Sequence, residues 1–400
     1  MPRTIIRSAT VILGDKLLPD HAVCLEGGKI RKVAPSAKLT AGAGDQAIDA
    51  KGKYLAPGFI DLHMHGLHRH LVDNGPEDLA AICRILPRYG VTGFLPGVCP
   101  LPKGKDAEFV GGLAKVRPAG ASILGVHLEG PFLTLTGALP AEAIGSADPD
   151  RVRALIAAAR PHKAVFSVAP DFEGICELIA LMAAEGAPVF MTHTAANAAQ
   201  TQAAIEAGAR HATHFYDVYP CPAEADPGVR PCGVVEAVLA DPRVSVDFIL
   251  DGEHVDAVAV RMALQCKWPD RVCLITDANV GAGLAPGRYS FVGGTEIEFA
   301  HPGAPARFTK DHPKYPGALA GSGLTLDCAV RNAVRMLPVD LPQAVRMASA
   351  NPAQVLRLTG RKGRIAEGFD ADMVLLDAEL NVQRTWVAGE CVFDKDRTSD

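Results

Sequence analysis

The sequence predicts an α/β protein, a (β/α)8 barrel of the TIM type with a small discontinuous β-sandwich domain built from both termini. Three observations support this fold class. The chain has 400 residues, enough for one barrel of about 250 residues and a smaller domain. Its middle alternates short apolar runs with alanine-rich helical stretches, which is typical of parallel strands joined by helices. Its two ends carry short alternating segments separated by turn residues, which is typical of antiparallel strands.

The two ends of the chain have the pattern of one antiparallel sheet. Near the N-terminus, turns at Gly14-Asp15 and Gly27-Gly28 separate short apolar segments. These segments are residues 4–6, 10–13, 22–25 and 30–33. Near the C-terminus, residues 371–393 predict a strand followed by a hairpin strand. We therefore assign residues 1–55 and 362–400 to the small β domain and residues 56–361 to the barrel.

Eight short apolar runs in the middle of the chain predict the eight barrel strands. They are residues 58–63, 91–95, 123–128, 164–168, 188–192, 211–214, 244–250 and 272–276. Continuous apolar runs indicate strands that are buried on both faces, and eight such units close a barrel of this kind. Between them, residues 150–159 and 175–184 place Leu, Ile and Ala at helical spacing, and Gly186 provides a stop for the second helix.

The composition excludes several classes of protein. With 48% hydrophobic and 21% charged residues and a mean hydropathy of +0.13, the chain has ample apolar surface for a core. The net charge is −5 and no basic run occurs, so we expect no nucleic-acid partner. We find no secretory signal and no apolar stretch of about 18 residues, so we expect no membrane partner. Ten scattered cysteines without a C-x-x-C pair indicate reduced thiols and a cytoplasmic location.

Polar side chains stand at the ends of five of the eight runs. They are His63 and His65, His127 and Glu129, His193, His214, and Asp277. The carboxyl ends of barrel strands converge on one mouth, so we expect these side chains to share a cavity.

A metal site explains these polar strand ends better than packing does. A single histidine at such a position is more often a hydrogen-bonded core residue, but His63 and His65 are two apart and can point to the same face of a strand. Unpaired buried polar groups cost about 1–3 kcal/mol each, so five such ends are hard to explain by packing. Imidazole and carboxylate ligands predict a divalent transition metal with one position open for water.

Short motifs follow one another along nearly the whole chain. They are residues 56–66 (APGFIDLHMHG), 125–132 (GVHLEGPF), 212–216 (ATHFY), 251–255 (DGEHV), 274–278 (LITDA), 319–322 (LAGS), 351–353 (NPA) and 368–373 (GFDADM). In this order they resemble the amidohydrolase superfamily and, within it, the N-acetylglucosamine-6-phosphate deacetylases. HLEGPF is the most specific of them, whereas a bare H-x-H is weak.

The resemblance implies a cofactor and a set of site residues. The implied ligands are Glu129, His193 and His214 for a principal metal, and His63 and His65 for a second metal bridged by Glu129. One or two divalent ions, with zinc as the first choice, would therefore bind each subunit. Asp277 would be the general acid and base, and His254 would help to polarise the carbonyl oxygen. The implied reaction removes an acyl group, here acetyl, from a small-molecule N-acylated amino sugar, and relatives of this kind commonly form homodimers.

The segments that would contact the substrate depart from the family pattern. Leu139 stands where the family has a histidine, and Asp217-Val218 stands where it has Asn-Ala. The expected arginine is missing before Pro227-Gly228, and Arg230 lies just downstream. The other implied substrate contacts are Leu319, Ala320 and Gly321. An aspartate would repel a dianion and the lost arginine removes a bidentate clamp, so we expect an altered phosphate pocket and a substrate that is unphosphorylated or carries its charge elsewhere.

Two further segments lie near the expected mouth. The loop of His68, Arg69 and His70 offers polar groups that we expect to be surface residues rather than ligands, with Arg69 as an alternative anion contact. Residues 278–322, rich in Gly and Pro, are expected to form a covering loop or hairpin.

Three alternative functions remain open at this point. One is another amidohydrolase activity: a cyclic-amide hydrolase, a deaminase or an N-acyl-amino-acid deacylase. The second is an inert barrel that serves as a binding subunit. The third is a nucleophilic cysteine enzyme, for which Cys99, Cys221 and Cys232 lie near predicted loops.

Overall fold

The computed structural model describes residues 3–224, 226–267 and 270–397. The strands are β1 (Thr4–Leu13), β2 (Lys16–Glu26), β3 (Lys29–Pro35), β4 (Gln46–Asp49), β5 (Tyr54–Pro57), β6 (Phe59–Met64), β7 (Gly66–Leu67), β8 (His70–Leu71), β9 (Val91–Val98), β10 (Ser122–Ile123), β11 (Val126–Glu129), β12 (Ala164–Val168), β13 (Val189–Met191), β14 (His211–Ala212), β15 (Ser245–Ile249), β16 (Val272–Ile275), β17 (Gly287–Ser290), β18 (Glu296–Phe299), β19 (Pro305–Phe308), β20 (Leu319–Ser322), β21 (Met373–Leu376), β22 (Val382–Val387) and β23 (Glu390–Asp394). The α-helices are α1 (Pro76–Ile85), α2 (Lys105–Leu113), α3 (Pro149–Ala158), α4 (Ile175–Ala184), α5 (Ala198–Ala207), α6 (Val234–Ala240), α7 (Ala257–Lys267), α8 (Leu326–Met336), α9 (Leu341–Met347) and α10 (Ala350–Val355).

Strands from both ends of the chain form one sheet, as the sequence predicts. Its order is β23-β22-β21-β5-β1-β2-β3, with β4 paired to β1. The two ends meet where β21 runs antiparallel to β5, with Val374 opposite Ala56. Side chains from both ends bury together, Val23 and Leu55 with Leu375 and Trp386. The N-terminal segment therefore cannot complete its core without the C-terminal one.

A cluster of ion pairs stabilises the junction between the N-terminal and C-terminal segments of this sheet. Asp370 lies 2.6 Å from Lys29 Nζ, 2.8 Å from Arg361 Nη2 and 3.1 Å from Lys362 Nζ. Lys362 also contacts Asp372 at 2.5 Å. Burial alone would raise the pKa of Asp370, but Lys29, Arg361 and Lys362 outweigh it and lower the pKa to about 2.

The eight predicted runs all form parallel strands of a nearly closed barrel. These are β6, β9, β11, β12, β13, β14, β15 and β16. β16 and β6 face each other across the seam, where Ala278 bridges Met64 and Asp277 N donates to His63 O at 2.9 Å. Every residue of β6 and β9 is buried, which explains why these strands read as apolar runs rather than as alternating ones.

The two helices placed from the sequence form within one residue of their predicted bounds. α3 is capped by Asp148, whose Oδ1 accepts from the backbone N–H groups of Asp150 and Arg151. α4 covers Ile175–Ala184, the predicted range. The longest helices of the described residues, α7 and α8, have 11 residues each, and none is long and apolar enough to cross a bilayer.

Residues 278–322 fold back onto the barrel mouth. They carry β17, β18, β19 and β20, which pair antiparallel in that order. Ala278, three residues beyond the end of β16, forms a parallel bridge with Ser322 at the end of β20. The insertion thus leaves and re-enters at the same strand end, as expected of a covering element, and we call it the mouth insertion.

The Asp370 cluster predicts a pH-dependent contribution to stability. We expect Asp370→Asn to lower the free energy of unfolding at pH 7 by about 1–2 kcal/mol, because three cations lose their shared acceptor. Since the pKa of Asp370 is depressed, this difference is present above about pH 4 and shrinks as the pH falls toward 2. Urea unfolding of both proteins across this pH range measures it.

A matched control is Asp396→Asn, because Asp396 is 74% exposed and pairs with Arg384 at 3.3 Å. We expect that change to cost less than about 0.5 kcal/mol. Equal losses in the two variants would contradict the role assigned to the cluster.

Candidate active site

Glu129 lies at the centre of the barrel mouth with four histidines around its carboxylate. Glu129 is the last residue of β11 and is 3% exposed. Oε1 lies 2.9 Å from His214 Nε2, 3.3 Å from His193 Nε2 and 3.6 Å from His63 Nε2. Oε2 lies 3.1 Å from His65 Nε2. The five residues predicted as metal ligands therefore come together around one carboxylate.

Local backbone geometry aims these side chains into the mouth. His193, His214 and Asp277 each stand two residues beyond the end of their strands, with φ values of 48°, 34° and 44°. Non-glycine residues rarely adopt this left-handed region, and such strain persists only where the surrounding structure holds it in place. Each of the three strands thus ends in a sharp bend that turns a polar side chain toward Glu129.

Asp277 forms the opposite wall of the same cluster. Its Oδ1 lies 3.2 Å from His63 Nε2 and 3.6 Å from His65 Nε2. Burial would raise the pKa of Asp277, but His63 and His65 lower it below its usual value. The carboxyl group is therefore held ionised, the form that accepts a proton. A Cβ on Gly321 (φ +73°) would stand 2.6 Å from Asp277 O, so glycine lets β20 approach this residue closely.

The cluster fits a divalent ion. Ligand atoms about 2.1 Å from a tetrahedral ion lie about 3.4 Å apart. The distances of 2.9–3.6 Å from Glu129 Oε1 to three imidazole nitrogens match that spacing.

Unsatisfied polar atoms also support a metal site at this cluster. His63 Nε2 and Asp277 Oδ1 are buried, and neither has a hydrogen-bond partner among the described residues. The ligand atoms of His63, Glu129 and His214 all lie within 4.8 Å of one another, as do those of His63, His65 and Asp277. Because the two oxygens of Glu129 face different histidines, this carboxylate can bridge two ions.

Hydrogen-bond partners outside the cluster hold two of its histidines. His127 Nδ1 lies 2.8 Å from His63 Nδ1, and its Nε2 lies 2.5 Å from Ser167 Oγ. Burial lowers the pKa of His127 well below its usual value, so this ring is neutral. His193 Nδ1 lies 3.0 Å from Leu135 O, which leaves Nε2 facing Glu129. His127, predicted at the end of the third run, supports the cluster from behind rather than joining it.

Two buried aspartates that sequence reasoning missed also shape the mouth. Asp61 accepts from Thr276 Oγ1 at 2.7 Å and so joins β6 to β16. Asp247 accepts from the backbone N of His214 at 2.5 Å and contacts His211 Nε2 at 2.7 Å. Both stand within predicted apolar runs, and a carboxylate inside such a run was the signal that could have found them.

A cavity of about 420 Å³ opens above the cluster. Of the predicted substrate contacts, Leu139, Asp217, Val218, His254, Leu319, Ala320 and Gly321 line it. Sequence reasoning missed other lining residues of the mouth insertion, among them Phe291, His312, Lys314 and Tyr315. His312 Nδ1 accepts from Tyr315 N at 2.9 Å, so a neutral His312 carries its proton on Nε2.

His254 is held in one orientation by its neighbour. Its Nδ1 lies 2.6 Å from Asp251 Oδ2, and its backbone N donates to Asp251 Oδ1 at 2.9 Å. Nε2 is therefore the nitrogen available to the cavity. Burial alone would lower the pKa of His254, but Asp251 outweighs it and raises the pKa, which favours a proton on this ring.

Other residues noted in the sequence lie away from the cluster. Arg230 does not line the cavity: its side chain is 76% exposed and lies 2.5 Å from Glu236. It stands on the long loop after β14, whose path the sequence pattern could not fix. His68 contacts Tyr89 at 2.7 Å, and His70, which begins β8, contacts Asp78 at 3.0 Å; both are half-buried and neither joins the cluster.

The cysteines do not form a nucleophilic site. Cys99 lines the cavity 3.8 Å from His65 Nδ1, but burial raises its pKa to about 12, so the thiol stays protonated. Cys221 and Cys232 are exposed and lie outside the cavity lining.

Comparison with known proteins agrees with this geometry. Residues 54–392 match the model of the amidohydrolase family. The chain belongs to this family. Amidohydrolases of this kind are metal-dependent hydrolases of carbon–nitrogen bonds other than peptide bonds, and the His/Glu cluster is the feature of this amidohydrolase that fits a metal.

Individual relatives cover almost the whole amidohydrolase. It is 31% identical over 392 residues to an N-acetylgalactosamine-6-phosphate deacetylase of Escherichia coli O157:H7, covering 96% of this chain and 98% of that one. It is 32% identical over 393 residues to an N-acetylglucosamine-6-phosphate deacetylase of Lysinibacillus sphaericus, covering 96% of each. The crystal structure of an N-acetylglucosamine-6-phosphate deacetylase from Pasteurella multocida superposes with a TM-score of 0.86 at 26% identity, over 97% of this chain and 99% of that one. The nearly closed barrel and the separate sheet are therefore those of these deacetylases.

The role of Glu129 predicts a loss of metal on substitution. We expect Glu129→Gln to lower the affinity for a divalent ion by at least about 100-fold, because the amide lacks the charge that faces four imidazoles. Elemental analysis after dialysis against a weak chelator measures the bound metal. Glu206→Gln is the control, since Glu206 is a 61% exposed surface partner of Arg243. Full metal content in Glu129→Gln would sink the assignment.

Proposed function

We propose that this amidohydrolase is a deacylase that removes an acetyl group from an N-acylated amino sugar. One observation carries the proposal: Glu129 lies within 3.6 Å of four imidazole nitrogens while Asp277 faces two of the same histidines from the other side. That arrangement supplies an ion site and a proton acceptor at one point of one cavity. The named activities of the relatives support amide hydrolysis of an N-acetylated sugar as the chemistry.

The donor set favours zinc as the resident metal. Imidazole and carboxylate ligands without thiolate are typical of catalytic zinc sites, which keep a position open for water. A bound zinc ion lowers the pKa of its water to about 7 and so makes hydroxide available at neutral pH. Glu129, His193 and His214 would hold the principal ion, and His63, His65 and Glu129 a second one.

Asp277 would move the proton in this reaction. Its ionised carboxylate would accept the proton of the attacking water and deliver it to the departing amine nitrogen, so one group serves both steps. His254 would present Nε2 to the carbonyl oxygen, where a donor stabilises the negative charge of the tetrahedral intermediate. Asp251 keeps that nitrogen in place through the 2.6 Å contact with Nδ1.

The cavity wall favours an unphosphorylated sugar. Leu139, Asp217 and Val218 line it where the resemblance places phosphate contacts, and none of them donates a charged hydrogen bond. Arg230 is exposed and paired with Glu236. A dianion at this wall would meet a carboxylate and apolar side chains.

A second candidate is a substrate that carries its anionic group toward the mouth insertion. His312 and Lys314 line that side of the cavity and are the observation that favours it. Rates on phosphorylated and neutral sugars separate the two candidates.

We also propose a reducing cytoplasmic setting and a homodimer. All ten cysteines are free in the described part of the chain, which supports the setting. The dimer stays a prediction from the resemblance.

Asp277 gives a direct test of the proposed chemistry. We expect Asp277→Asn to keep at least one equivalent of metal while hydrolysis of N-acetylglucosamine falls by about 100- to 10,000-fold, because the amide cannot take the proton. Metal analysis and amine release are measured on the same sample. Asp49→Asn, which alters an exposed surface carboxylate, is the control. Near-normal turnover in Asp277→Asn would rule out this role.

Substrate preference gives a second test. We expect kcat/KM for N-acetylglucosamine to exceed that for its 6-phosphate by at least about tenfold, because the wall at Asp217 repels a dianion. Steady-state amine release on both sugars at fixed ionic strength measures the ratio. A clear preference for the phosphorylated sugar would favour the second candidate.

A further inference from the structure

Asp217 carries a carboxylate oxygen that the protein itself does not satisfy. Its Oδ2 is buried and has no hydrogen-bond partner among the described residues. The same residue lines the cavity above the metal cluster. An unpaired buried acceptor of this kind costs free energy unless another molecule supplies the missing donor.

The backbone around Asp217 holds it at the cavity in spite of this cost. Asp217 N donates to His214 O at 2.9 Å, which ties the residue to the end of β14. Its neighbours Tyr216 and Val218 have φ values of 82° and 57°, a region that a β-branched valine rarely adopts. Strained residues on both sides of an unpaired carboxylate are typical of a functional position.

The charge of Asp217 limits which chemical group can be the missing hydrogen-bond partner of its Oδ2. Asp217 lines the cavity together with Leu139 and Val218, so an anionic group beside it would meet its carboxylate, and neither of these two neighbouring side chains offers a charged donor. A neutral or cationic hydrogen-bond donor binds more favourably at this position than an anion does, because it satisfies Oδ2 and adds no negative charge. The donors available on an amino-sugar substrate are hydroxyl and ammonium groups.

We propose that Asp217 is a specificity-determining residue that accepts a hydrogen bond from a hydroxyl or ammonium group of the substrate and excludes an anionic group from that position. The proposal rests on the proposed deacylase function and names its substrate class: a neutral or cationic N-acyl amine with a donor at this wall.

The isosteric variant Asp217→Asn tests the proposal, because it removes the charge and keeps the shape. The measurement is the ratio of kcat/KM for N-acetylglucosamine to that for N-acetylglucosamine-6-phosphate. We expect this ratio to fall by at least about tenfold in the variant, because the phosphorylated sugar no longer meets the charge. An N-acetylated diamino sugar is the third substrate in this comparison. If Asp217→Asn loses more kcat/KM on the diamino sugar than on the neutral sugar, the donor is an ammonium group, and an equal loss identifies a hydroxyl.

The control is Asp226→Asn, which makes the same charge change on the same loop at an exposed residue outside the cavity lining. We expect its ratio to equal that of the wild type. An unchanged ratio in Asp217→Asn, or an equal shift in both variants, overturns the proposal.

Thermal unfolding tests, without any activity measurement, whether the Asp217 carboxylate is unsatisfied in the free protein. Because Oδ2 lacks a partner in the free protein, we expect Asp217→Asn and Asp217→Ala to unfold at the same or a higher temperature than the wild type. Destabilisation by both variants would mean that the carboxylate has a structural partner, and would overturn the proposal. If no amide is hydrolysed by the wild type, the proposed function fails, while this measurement still decides whether Asp217 is unsatisfied.

Discussion

The organisation of the barrel mouth depends on one buried carboxylate. Glu129 is 3% exposed and lies within 3.6 Å of an imidazole nitrogen from each of four histidines. A carboxylate removed from water needs compensating charge, and neutral imidazoles by themselves do not supply it. In the absence of a cation the rings must take up protons, and the opposite shifts of two of them show this competition: the pKa of His214 is raised to about 9, where Glu129 outweighs burial, and that of His193 is lowered by burial. A divalent ion held by Glu129, His193 and His214, with a second held by Glu129, His63 and His65, would supply the missing positive charge.

The rest of the fold keeps these five residues in register. They come from four different strand ends, so the geometry of the cluster is also a constraint on how the barrel closes. At the seam, Asp61 joins β6 to β16 through Thr276, and Asp277 N donates to His63 O. The same contacts that close the barrel therefore set the distance between the metal ligands and the acid/base carboxylate.

The sequence predicts the barrel well because strands buried on both faces leave a strong signal. Each of the eight apolar runs became a strand, and the polar residues at their ends met at one mouth, because parallel strands bring their carboxyl ends to one side. Asp61 and Asp247 were not predicted, because the barrel fold brings together the polar residues at strand ends, whereas these two lie inside apolar runs. The sequence predicted residues 278–322 as a covering element with Leu319, Ala320 and Gly321 at the site, but hydrophobic periodicity does not tell where the rest of an inserted sheet docks. Phe291, His312 and Tyr315 of this insertion also line the cavity, and Ala278 and Ser322 pair where the insertion begins and ends. Arg230 was predicted as a substrate contact because it lies next to Pro227-Gly228 in the sequence, but on the long loop after β14 it is exposed and lies outside the cavity lining.

The most direct test of the account is anomalous diffraction from crystals of the purified protein, recorded on both sides of the zinc absorption edge. The account predicts a peak about 2.0–2.2 Å from Glu129 Oε1 and from the Nε2 atoms of His193 and His214, with room for a second peak between His63, His65 and Oε2. Crystals prepared with bound metal that show no peak at Glu129, or a peak only elsewhere on the protein, would contradict it.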